Sequence, residues 1–103
     1  MPRTWGGRSN FNYTGSVETG TRIVFGQGRI VEVSAQQYTA LRQNFLNRAV
    51  PAGTSRTDAP DESFGAWLQA NVTPTAIASY VAPILILEGY AERTDANNIL
   101  ITR

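Results

Sequence analysis

The ionisable side chains that could do chemistry near neutral pH are carboxylates and arginines. The chain has no Cys and no His, and all nine of its basic residues are Arg. Without a thiol or an imidazole, Ser-His-Asp and Cys-His mechanisms are excluded, and so are the usual zinc ligand sets. Without Lys, Schiff-base chemistry and a phosphate-loop lysine are excluded too. What remains is carboxylate work: a facing pair for acid–base catalysis, or a cluster for a hard cation. The eight acidic residues show no such spacing. Asp58, Asp61 and Glu62 cluster, but where a helix is expected to start, which suits first-turn acids. The expectation is a protein that is not an enzyme, with no cofactor and no metal.

Three other stretches could bind rather than react. Gly26-Gln27-Gly28 follows a strand, as a dinucleotide fingerprint does, but Val31 stands where the third Gly would be and a second strand follows, so a hairpin turn is the reading. Thr54-Ser55-Arg56-Thr57-Asp58 is dense in hydrogen-bonding groups and could hold an anion or a partner's carboxylate; a polar loop with a helix cap is the plainer reading. Trp5 sits between Arg3 and Arg8 in a Gly-rich arm. Arg beside an aromatic can stack on single-stranded bases, but three residues make no motif, and a docking arm is favoured.

The elements that must position these residues follow from pattern. At 103 residues the chain has room for one domain. Such a domain buries roughly two-thirds of its unfolded surface. Net charge is +1, far from the basic footprint of a dedicated nucleic-acid domain. No apolar run approaches the roughly 20 residues of a membrane span, and the N-terminus lacks a secretory signal, so a cytoplasmic location is expected. Residues 1–20 read as an irregular arm and 21–103 as the domain. Thr21–Phe25 and Arg29–Val33 are β-branched strands of a hairpin.

Ser34 and Gln37 form a capping box, with Val33 and Tyr38 as the staple. Tyr38, Leu41, Phe45 and Ala49 recur at helical spacing, and Pro51 and Gly53 end the helix. A second helix starts near Asp61, capped by Asp61 or Asp58, with Glu62 in its first turn. Phe64, Trp67, Leu68 and Val72 form its apolar face. Thr73-Pro74 opens a third helix. Pro83 should kink or split it, and Gly89 with Tyr90 ends it in a Schellman motif. A buried strand over 84–87 is the alternative for its second half. Two strands, 90–93 and 99–102, flank a turn at 95–98.

From Phe64 onward, the order of helix, turn, longer helix, Gly-aromatic exit and hairpin resembles a winged helix. Pro83, Leu85, Ile86, Gly89, Tyr90, Arg93, Thr94 and Thr102 are similar to the C-terminal winged-helix domain of the bacterial Holliday-junction branch-migration motor. The resemblance covers some forty residues and implies an α+β winged-helix-like domain: three helices with an N-terminal and a C-terminal β-hairpin, the two hairpins able to pair into one small sheet. It also implies DNA as a partner. Two features depart from the family. The wing holds Asp95, Ala96, Asn97 and Asn98 in place of Arg and Gly. The helix from Thr75 to Leu87 carries no basic residue, whereas phosphate binding depends on Arg and Lys.

That helix should expose Thr75, Ala78, Ser79 and Ala82. Small uncharged groups let another backbone approach closely, which favours a non-catalytic interaction or assembly module with a protein partner or a second copy of itself. The alternative is a DNA-binding winged-helix regulator with Arg42, Arg48, Arg56, Arg93 and Arg103 on phosphates.

Overall fold

The computed structural model describes residues 2–55 and 59–103. Its elements in chain order are β1 (Asn12–Ser16), β2 (Gly20–Phe25), β3 (Arg29–Ser34), α1 (Ala35–Phe45), β4 (Ala49–Pro51), α2 (Phe64–Asn71), α3 (Ala78–Leu87), β5 (Ala91–Arg93) and β6 (Asn98–Ile101). The fold is α+β: three helices with two antiparallel three-stranded sheets, ordered β1-β2-β3 and β4-β6-β5.

The expected hairpin forms with Phe25 opposite Arg29 and Thr21 opposite Val33. It does not pair with the C-terminal hairpin. Instead β1 adds to its other side, Tyr13 against Ile23 and Asn12 against Val24. The arm thus belongs to the folded body: Trp5, Phe11 and Val17 join the buried apolar cluster. The second sheet differs in the same way. The C-terminal hairpin of β5 and β6 gains β4, which pairs Val50 with Ile99.

α1 starts as the capping box requires. The Ser34 hydroxyl accepts the Gln37 N–H at 3.0 Å, and the Gln37 side chain accepts the Ser34 N–H at 2.8 Å. Tyr38, Leu41 and Phe45 are buried. Each such side chain contributes roughly 1.5–3 kcal/mol by leaving water. The Tyr38 hydroxyl meets that of Thr21 at 2.6 Å, a buried polar tie from α1 to β2. The helix ends sooner than its periodicity suggests. Asn47 takes a positive φ of 60° and donates its N–H to Ile101, so Ala49 enters β4 rather than a further helical turn. Sheet pairing outweighs the local pattern here.

α2 is shorter than expected and is capped by Ser63, whose hydroxyl accepts the Ala66 N–H at 3.1 Å. Asp61 does not cap it, and Glu62 precedes the helix with a φ of 62°. Asp58 lies outside the described residues. The chain crosses itself at this point: the Gly65 N–H donates to the Ala52 carbonyl, and a Cβ at Gly65 would overlap the Gly53 carbonyl. Only glycine permits that approach.

α3 begins at Ala78, not at Thr73-Pro74. The Thr73 N–H bonds to the Leu68 carbonyl, which keeps residue 73 at the exit of α2. α3 is one helix through Leu87, so the strand alternative over 84–87 does not form. Its C-terminus is the expected Schellman arrangement, with Tyr90 N–H on Leu85, Gly89 N–H on Ile86 and Gly89 at φ 84°. Pro83 stays inside the helix. It has no N–H for the carbonyl four residues back, that of Ser79.

Candidate functional site

That unpaired Ser79 carbonyl is where the N-terminal arm attaches. The Trp5 N–H donates to it at 2.9 Å. The Trp5 indole N–H donates to Ala96 at 3.0 Å, and the Arg93 guanidinium lies 3.9 Å from the indole centroid. Arg93 also donates to the carbonyls of Trp5 (2.9 Å) and Ala96 (2.8 Å). One arginine and one tryptophan therefore fasten residues 2–10, the turn between β5 and β6, and α3 together.

This attachment changes the reading of the small-residue face. Ala78 and Ala82 are 1% and 0% exposed, part of the core rather than an outward stripe. Ser79 is half-buried with its carbonyl occupied. Thr75 precedes the helix, in the turn after α2, and is half-buried. Of the expected docking face, Ala78 and Ala82 are covered within the chain, while Thr75 and Ser79 stay partly accessible and the arm takes the carbonyl that Pro83 leaves.

Of the arginines singled out for DNA, the described ones Arg42, Arg48 and Arg93 are each engaged within the chain. Arg42 stacks 4.4 Å from the Tyr90 ring centroid and donates to the Arg103 carbonyl at 2.6 Å, while the Arg103 side chain is exposed. Arg48 lies over Phe45 and donates to Asn44 at the end of α1. Arg93 is held at Trp5. Arg56 lies outside the described residues. The turn between β5 and β6 is shaped by a carboxylate. Asp95 accepts the N–H groups of Asn97 (2.8 Å) and Asn98 (3.0 Å) and the Asn98 amide, which hold its carboxyl below the ordinary value.

Two further carboxylates, Glu88 and Glu18, are engaged in structural hydrogen bonds. Glu88 accepts the Tyr13 hydroxyl and the Val17 N–H, each at 2.9 Å, and Glu18 accepts the Tyr90 hydroxyl at 2.9 Å. Burial, then the Glu88 hydrogen bond and charge, push the Tyr13 hydroxyl up to about 12. The Glu18 bond pushes Tyr90 up as well. Among the described residues no group of three or more acidic, His or Cys side chains is placed to hold a metal, and no helix is long and apolar enough to cross a membrane.

A cleft of about 690 Å³ lies between the arm, the segment after β4, the start of α3 and the β5–β6 turn. It unites stretches that the sequence left apart: Trp5 and Arg8 from the arm, Thr54 and Ser55 from the polar loop, Ser79 from α3 and Arg93 from β5. Sequence reasoning missed Thr4, Ser9 and Asn97, which also line it. The only local signal was the density of hydroxyls and aromatics in the arm and loop. No described residue that lines the cleft is acidic.

No protein family, curated protein or solved structure matches this chain.

Proposed function

We propose that this protein is a small non-catalytic assembly module that joins a second copy of itself edge to edge through β3. The observation that carries the proposal is the state of the first sheet. Among the described residues no strand lies beyond β3, so its outward N–H and C=O groups have no strand partner there. Such an edge is a template for another strand. β3 is six residues long and carries no Pro; its charged residues are Arg29 and Glu32, of opposite sign.

The outer face of the sheet supports the same reading. Val24 and Ile30 are register partners and are 37% and 48% exposed, the latter on the edge strand itself. Antiparallel pairing of two β3 strands centred on Ile30 sets the two isoleucines opposite each other. Because opposed residues share a face, the row then runs Val24, Ile30, Ile30, Val24 across both copies. A two-fold axis makes such an edge complementary to itself.

The test is light scattering over a concentration series. The intact chain should form a dimer, and Ile30→Lys should return it to a monomer with little change in melting temperature. A monomer at every concentration overturns the proposal.

The winged-helix relationship with DNA binding is the second reading. The order α2, α3, β5, β6 supports it, and the lack of any cation on α3 opposes it. A low-salt gel shift separates the two: tight, salt-sensitive binding would favour DNA.

A further inference from the structure

We propose that the cleft beside Trp5 is a binding site for an oxyanion carried on a hydroxyl-rich small molecule, with Arg8 as the residue that receives the charge. This is independent of self-association through β3.

Three observations lead to it. The first is charge. Arg8 and Arg93 line the cleft and no described lining residue is acidic. Arg93 already serves the carbonyls of Trp5 and Ala96. Arg8 is exposed and has no hydrogen-bond or ion-pair partner among the described residues. A guanidinium presents a fork that suits phosphate or carboxylate in two-point contact.

The second is placement. The loop that bears Arg8 is closed on itself, with the Thr4 N–H on Ser9 and the Gly7 N–H on Thr4, both at 2.9 Å. The same loop is fixed at Trp5 by the bonds to Ser79, Ala96 and Arg93. A cation on an anchored loop costs less ordering on binding than one on a free arm.

The third is the rest of the lining, which says what the anion is attached to. Thr4, Ser9, Thr54 and Ser79 bring hydroxyls and Asn97 an amide. These suit a body with many hydroxyls. The rings offer little face for stacking. Arg93 occupies a face of Trp5, and Tyr80 is stacked on Phe25 with ring centroids 4.4 Å apart. The cleft's 690 Å³ lies within the roughly 300–1,000 Å³ range of small-molecule sites.

Phosphate and carboxylate share this chemistry, and titration calorimetry separates them. Ribose 5-phosphate, glucuronate and uncharged ribose are each titrated into the intact chain. At least one of the two anions should bind saturably at millimolar concentration, and ribose should not. Arg8→Ala should weaken the bound anion about tenfold or more, the loss of one charge-assisted contact. Arg8→Lys should retain part of the affinity. Both variants should melt like the parent, since Arg8 is exposed and makes no hydrogen bond or ion pair with a described residue. The inference is overturned if neither anion binds, if ribose binds as well as the anions, or if Arg8→Ala binds as tightly as the parent.

Discussion

The N–H of Trp5 takes the carbonyl of Ser79 at 2.9 Å, a carbonyl left without its helical partner by the proline four residues later. A helix interrupted in this way would normally expose an unsatisfied group to water or bend to relieve it. Here the arm supplies the missing donor, and the Trp5 indole follows into the core, 6% exposed.

Trp5 should therefore behave as a core residue despite its place near the chain start. Trp5→Ala should cost about 3–5 kcal/mol, as expected for a large buried aromatic. Trp5→Phe keeps most of the packing and loses the indole bond to Ala96, whose carbonyl still receives Arg93. It should cost only about 1 kcal/mol. Urea unfolding of both variants checks the pair. Equal, near-zero costs would mean that the arm does not hold the fold.

Alkaline pH should loosen the attachment of β1. The Tyr13 hydroxyl is raised from 10.0 to about 12, so the folded state favours the neutral phenol. A group raised in this way contributes fully below its unfolded value and loses that contribution as pH climbs through the folded one. Stability should fall between about pH 10 and 12, with Tyr38 and Tyr90, shifted in the same direction, adding to the fall. Tyr13→Phe should flatten part of that slope and cost about 1 kcal/mol at neutral pH for the lost bond to Glu88. Urea midpoints against pH for both chains measure it.

Ala82 distinguishes a filled face from an open one. On an open surface Ala82→Leu would change stability by no more than about 0.5 kcal/mol. With Ala82 fully buried, the added methylenes must displace packed neighbours, at a cost of about 1–3 kcal/mol. Thermal unfolding followed by circular dichroism decides between them.

Local signals in the chain were legible where the groups that satisfy them lie within a few residues. Ser34 with Gln37, Gly89 with Tyr90, and the turn at Gly26–Gly28 each close hydrogen bonds between near neighbours, so residue type and spacing suffice. The lack of His, Cys and Lys likewise restricts the chemistry without any coordinates. Pro83 announces a missing donor, but nothing local says that Trp5, far away in the chain, will fill the gap. The third strand of each sheet is the same case: β1 and β4 are short and weakly patterned, and they become strands because β2 and β6 offer an unpaired edge. The cleft gathers residues from four separated segments, and the burial of Ala78 and Ala82 depends on how those segments pack. A backbone group must find a partner somewhere, and only the folded chain chooses among distant donors.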